Sequence, residues 1–308
     1  MTFFVVFIHS PFGGKAGEVF FCFGKMAVPF FIVISGYFCF SDQTEIFKKR
    51  IKKQAERIFM LCVGANFLYV YLYLIGNKLG IISVGIYRKV DDTSLVNLLL
   101  YNQSPVADHL WFLGSLFYAL VLMLVLTKLK FYKNILFFAP VFLSIYLYLS
   151  YYGGGDFIKY RNVFLVTLPY FMMGCLIRRY KQKIREKIKP GILISAAAAF
   201  SVFVVAEYFM RKNTGVPYLS IEVLIYLVVL VCLYYPNVGS KGIVWWLGSR
   251  CTLYIYILHM GVLWFLWFVY TSFTKAHPPV VTITAFVLPL LFSVFIEKIK
   301  QHDFMKLA

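Results

Sequence analysis

Charge is scarce in this chain of 308 residues. Only 14% of them are Asp, Glu, Lys or Arg, whereas a soluble domain carries about a quarter. Acidic residues are the scarcest, at 13 against 31 Lys plus Arg, for a net charge of +18. No Walker loop, dinucleotide fingerprint or metal-ligand cluster is present, which argues against an ATPase, a flavoenzyme or a zinc enzyme. The six cysteines, Cys22, Cys39, Cys62, Cys175, Cys232 and Cys251, show neither metal nor redox spacing. They read as buried thiols without a disulfide framework. No basic n-region precedes the opening run Thr2 to Ile8, so no cleavable signal peptide is expected. No polar stretch is long enough for a separate soluble domain, so residues 1–308 are expected to form a single domain whose site is built from helices and loops.

Apolar residues fill the space that charge leaves, 61% of the chain. They recur as ten runs, at 2–12, 19–40, 58–76, 109–127, 134–152, 162–177, 191–210, 217–235, 243–268 and 279–297. A soluble core could not hide all of them, whereas a bilayer takes up about 20 residues per crossing. Backbone amides in lipid must bond within their own segment, so the crossings are helices. The alternation of an outer-membrane barrel is absent because the runs are continuous. The expected fold class is all-α: a polytopic membrane protein of about ten transmembrane helices. Its first run is only 11 residues, a helix of about 17 Å against about 30 Å of hydrocarbon. This implies that the chain as it stands lacks the start of its first helix.

Orientation follows from the basic residues. One alternate set of connections holds 21 of the 31, including Lys48 to Arg57, Lys128 to Lys133, Arg178 to Lys189 and the C-terminal tail. That set is expected on the cytoplasmic side of a plasma or inner membrane, together with both termini. The 77–108 connection, with Asp91, Asp92 and Asp108, faces the other side. Basic residues bunched between apolar runs suit anionic lipid rather than nucleic acid, which is not an expected partner.

Ionisable groups inside a bilayer are functional candidates. His9, His109 and His259 all fall toward the extracytoplasmic end of their runs, and an imidazole suits removal of a hydroxyl proton. The competing reading of each is a hydrogen bond to a neighbouring helix. Pro29 with Ser35-Gly36 reads either as a kinked, closely packed helix or as a widened cavity beside His9. Asp108 reads as a helix cap and Trp111 as an interfacial anchor. The segment Phe47 to Phe59, with Ile46, Ile51 and Ile58 among its apolar positions, reads either as a helix lying on anionic lipid or as a cationic mouth for donor phosphates. Glu207 and Arg211 read as a helical pair.

His9-Ser10, then Val28-Pro29-Phe30-Phe31 with Ser35-Gly36-Tyr37, then His109-Leu110-Trp111-Phe112-Leu113 resemble motifs of the acyltransferase 3 family. So do Leu168-Pro169-Tyr170-Phe171-Met172-Met173-Gly174 and Leu247-Gly248 followed by Tyr254 to His259, all in the family's order. The resemblance implies a ten-helix membrane enzyme with no permanently bound cofactor and no metal. Such an enzyme takes an acyl group, usually acetyl, from cytoplasmic acyl-CoA and passes it to a hydroxyl of an envelope or exported glycan or glycolipid. It assigns His9 as general base or acyl relay and Arg57 to holding the coenzyme. Ser35, Gly36, His109, Trp111, Tyr256 and His259 become substrate- or coenzyme-binding positions. Two departures stand out. The arginine that the family carries earlier in the first helix falls before Met1, and Glu56 interrupts the usual basic pair at Arg57. The competing assignments are a transporter or flippase of a glycan or small solute, or an inactive, truncated family member.

Overall fold

A computed structural model describes residues 1–80, 94–101, 104, 106–152, 160–211, 218–271 and 279–307. Asp91 and Asp92 of the long connection lie outside them. In chain order the helices are α1 (Thr2–His9), α2 (Gly14–Gly24), α3 (Ala27–Cys39), α4 (Thr44–Lys78), α5 (Ser94–Tyr101), α6 (Trp111–Leu126), α7 (Tyr132–Ile135), α8 (Ala139–Tyr152), α9 (Leu168–Lys187), α10 (Pro190–Arg211), α11 (Leu219–Tyr234), α12 (Gly242–Arg250), α13 (Thr252–Thr271) and α14 (Pro279–Leu307). Among the described residues there are also short 3₁₀ turns at Asp108–Leu110 and Leu136–Phe138 and a π turn at Val163–Thr167. No strand occurs among the described residues.

Each of the ten apolar runs holds helix, and eight helical segments are long and apolar enough to cross a bilayer: Gly14–Cys39, Thr44–Lys78, Asp108–Leu126, Tyr132–Tyr152, Val163–Lys187, Pro190–Arg211, Thr252–Val269 and Pro279–Lys300. The other two runs give α11, of 16 residues, and α1, of eight. α1 stops at His9 because Pro11 follows. The residue before a proline is pushed out of the helical region, and Ser10 sits at φ −149°, ψ 73°. The 19–40 run is not one unbroken helix. Pro29 has no N–H to give the carbonyl of Lys25, and the chain breaks between Gly24 and Ala27.

The cationic segment after Asp42 is no separate surface helix. It is continuous with the third apolar run as α4, whose 35 residues span about 52 Å, well beyond the hydrocarbon thickness. Its buried stripe is Phe47, Ile51, Ala55 and Ile58, at helical spacing, while Ile46 is exposed. Phe47 packs on Phe40 and stacks on Tyr132. This face therefore packs against protein rather than lipid.

The chain forms two compact units, each built from segments distant in sequence: Met1–Ala27, Leu72–Ile86 and Tyr235–Ala308 in the first, Val28–Tyr71 and Tyr87–Tyr234 in the second. In the first, α13 and α14 lie along each other and α1 packs against both as well as against α2. Val6 of α1 enters a core with Cys251, Ile255, Leu263, Val281 and Ala285. Cys251, Ile255, His259 and Leu263 recur every four residues, so the histidine occupies one position of the core-facing stripe of α13.

In the second unit α3 crosses α9 where both lack side chains. A Cβ on Gly36 would stand 2.0 Å from the carbonyl oxygen of Phe171, and one on Gly174 would stand 2.0 Å from that of Val33. The close-approach reading of Ser35-Gly36 is the one the structure supports.

Several polar roles differ from the sequence reading. The Glu207–Arg211 pair is present at 3.8 Å, but the carboxylate of Glu207 is mainly the cap of the neighbouring helix. It accepts from the backbone N–H groups of Leu219 and Ser220, from the Ser220 hydroxyl and from the Tyr151 hydroxyl. Replacing Glu207 with alanine is expected to destabilise the fold by about 1–3 kcal/mol, because the start of α11 loses its acceptor. Thermal unfolding in detergent, wild type against variant, measures this. Asp108 makes no capping bond; ahead of the helix the Ser104 Oγ accepts from Val106 and Ala107 and donates to Asn66, which fixes the turn that leads into it. The cysteines are all free, but Cys232 is exposed and Cys62 only part-buried, so they are not uniformly buried thiols.

Candidate functional site

His9 ends α1, half-buried, with Val5, Val6 and Phe7 buried in the preceding turn. The Thr282 hydroxyl of α14 donates to the Ser10 carbonyl, which ties the end of α1 to the neighbouring helix. Opposite lies His259, fully buried on the core stripe of α13. The two ring centres are 5.3 Å apart, with the planes inclined at 43°. Tyr256, one turn before and also buried, has its ring 6.1 Å from that of His259.

The hydrogen bonds of His259 determine its tautomer. Its Nδ1 stands 2.7 Å from the carbonyl oxygen of Tyr256 and 3.2 Å from that of Ile255. A carbonyl can only accept, so Nδ1 carries the hydrogen and in the neutral ring Nε2 is the acceptor. Three sequence-expected residues, His9, Tyr256 and His259, thus come together in the first unit.

The other five belong to the second unit. Ser35 is half-buried and gives its hydroxyl to the Phe31 carbonyl of its own helix at 2.9 Å. Gly36 is a packing position. His109 is buried, its ring 4.8 Å from that of Tyr69 on α4. Trp111, which begins α6 just after it, carries the Arg161 guanidinium over its ring at 4.4 Å, a cation–π contact rather than a lone interfacial anchor. Arg57 is exposed. It precedes Tyr69 by twelve residues on the same helix, so Arg57 and the His109 contact are separated by about 18 Å along the axis. Arg57 and His109 are not brought together; they mark two depths of one helix.

The profile of the acyltransferase 3 family, described as an acyltransferase domain, matches residues 1–298. The chain belongs to that family. No curated protein and no solved structure matches the chain. As a family member it is a transferase in a multi-pass helical membrane setting, in agreement with the apolar helices above.

Two buried carboxylates of this acyltransferase-family chain escaped the sequence reading. Glu222 on α11 is buried and accepts from the Tyr170 hydroxyl of the Leu168 to Gly174 motif. Glu297 on α14 is buried and is held by Arg250 at 3.1 Å and Lys300 at 3.1 Å, with Tyr254 beside it. Each is a lone acid within or at the end of an apolar run, so the rule that singles out the histidines should have flagged them too. Among the described residues no three His, Cys, Asp or Glu side chains converge as metal ligands.

Proposed function

We propose that this protein is a membrane O-acyltransferase that moves an acyl group, acetyl in the simplest case, from cytoplasmic acyl-CoA to a hydroxyl of an envelope or exported glycan. The observation that carries the reading is the contact between His9 and His259 in a chain of this family. It provides a proton acceptor on α1, and membrane helices around it keep water, a competing nucleophile, from the thioester. In this reading residues 1–308 act as one ten-helix domain with cytoplasmic termini.

The acceptor oxygen attacks the thioester carbonyl while His9 takes its proton. The C–O bond forms, the C–S bond breaks, and the departing thiolate recovers a proton to leave as free coenzyme A. Arg57, exposed on the basic extension of α4 among Lys48, Lys49, Arg50, Lys52 and Lys53, suits the phosphates of the donor. Ser35, His109 and Trp111 of the second unit and Tyr256 of the first serve as substrate- or donor-binding positions in this reading, while Gly36 sets the spacing of α3 and α9.

The direct test is O-acetyl content. Cells expressing the chain should carry more base-labile acetate on their envelope glycan than cells with an empty vector; equal content would sink the assignment. In inverted membrane vesicles from these cells, with radiolabelled acetyl-CoA, Arg57→Ala is expected to raise the apparent KM for acetyl-CoA. The rise should be about 10- to 100-fold, the worth of one charge-assisted contact, with kcat little changed.

A further inference from the structure

Resting on the O-acyltransferase reading, we infer that Arg50, Lys133, Arg178 and Arg179 form a binding site for the phosphate groups of the coenzyme A donor. These cations come from three stretches distant in sequence, and they meet in the second unit around the end of α3 and the turn into α4. Arg50 of α4 donates to the Phe40 carbonyl at 3.1 Å and reaches that of Phe38 at 3.5 Å. Lys133 of α7 donates to the backbone carbonyl of Asp42 at 2.7 Å. Arg179 of α9 donates to the backbone carbonyl of Lys133 at 3.1 Å. Its neighbour Arg178 donates to the Tyr37 hydroxyl at 3.2 Å and stands over that ring at 5.1 Å.

The plainer role of these cations is to cap α3, but capping leaves charge over. A helix C-terminus carries about half a negative charge, against four cations. Among the described residues none of the four has a carboxylate within 4.0 Å. Of the acids in the adjoining turn, Asp42 is exposed and Glu45 is taken up by Lys48 at 2.9 Å. With Asp42 counted, about two to three positive charges remain uncompensated, a balance that suits a diphosphate. Among the described residues each guanidinium engages its surroundings through Nη1 alone, so further N–H donors are left for phosphate oxygens. The carbonyls and the Tyr37 ring hold the cations in place beforehand, which lowers the entropic cost of binding. Arg50 is exposed and the other three are half-buried, so a ligand can reach them. Arg57 follows Arg50 by two turns on the same side of α4, about 10 Å along the axis. It continues the cationic face toward the apolar part of that helix.

Substitution separates the charge from the scaffold, because Gln keeps an N–H donor but no charge, whereas Lys keeps the charge. The purified full chain in phosphatidylcholine nanodiscs is tested for binding of radiolabelled coenzyme A. Arg50→Gln and Arg178→Gln are each expected to weaken binding about 10- to 100-fold. Arg50→Lys and Arg178→Lys should be the milder of each pair. Thermal unfolding in detergent is followed in parallel. In the inverted vesicles described above, the Gln variants should raise the apparent KM for acetyl-CoA by the same factor. The apparent KM for acetyl-pantetheine, which lacks the phosphates, should change less than about twofold. Equal damage toward both donors would make these positions scaffold and overturn the inference. Unchanged coenzyme affinity in both Gln variants would overturn it too. So would unchanged affinity with less phosphatidylglycerol retained on purification, which would assign the cations to a lipid headgroup. Wild-type protein that binds no coenzyme A would overturn both this inference and the O-acyltransferase reading. Binding that depends on Arg50 and Arg178, without acetyl transfer by the wild type, would uphold the phosphate site and overturn the reading alone.

Discussion

Alanine in place of His9 is expected to lower acetyl transfer by about 100- to 10,000-fold, the range that positioned acid–base groups supply. The loss should fall on kcat, because the ring serves the proton transferred during attack and contributes little to holding the donor. Folding should survive. The packing of α1 rests on Val5, Val6 and Phe7, which are buried, and on the Thr282 bond to the Ser10 backbone. None of these needs the imidazole. The measurement is radiolabelled acetyl incorporation into glycan in inverted vesicles, normalised to folded protein by size-exclusion in detergent. Added imidazole should restore part of the rate, since it supplies a base of the same kind to the space the ring leaves. A variant as active as the wild type would remove His9 from the chemistry and leave the family assignment without its base.

The second large effect concerns packing. Gly36→Ala and Gly174→Ala are each expected to destabilise the protein by about 1–3 kcal/mol or more. Both added methyl groups would meet backbone atoms: Phe171 O and C for Gly36, Val33 O and Tyr37 N for Gly174. A side chain in the way could rotate aside, but a backbone carbonyl cannot, so α3 and α9 would have to move apart. That movement would also strain the Arg178 bond to the Tyr37 hydroxyl and the contact of Cys175 Sγ with the Gly36 carbonyl. The two substitutions widen the same crossing, so the double variant should cost less than the sum of the singles. Thermal unfolding of the purified protein in detergent reads all three. Unchanged melting for both single variants would show that the crossing is looser than the structure has it.

Much of the molecule was legible in the sequence because transfer to a bilayer is a local property. Continuous apolar runs without alternation dictated helices, and each run holds helix, although the 19–40 and 243–268 runs are each divided between two helices. Pro29 marked a helix disruption by removing a donor, which needs no tertiary context. Where the reading failed, the missing information was which side of a helix meets a neighbour. Ile46 was grouped with Ile51 and Ile58, yet the buried stripe is Phe47, Ile51, Ala55 and Ile58. Asp108 looked like a cap, yet the helix has no side-chain cap, and Ser104, four residues earlier, instead fixes the turn ahead of it through Val106 and Ala107. Glu207 looked like half of a helical pair, yet most of its bonds go to a different helix.

The sequence by itself determined the membrane class, the all-helical character, the family and the short set of histidines worth testing, because hydropathy and ordered motifs act over a few residues. Only the tertiary structure decided that position 9 meets position 259, that the second ring turns its Nδ1 toward two carbonyls, and that Gly36 faces Gly174's helix rather than open space. These facts depend on how helix faces separated by up to 250 positions come into register. Such pairings are set by the joint packing of many side chains, and no single segment carries them.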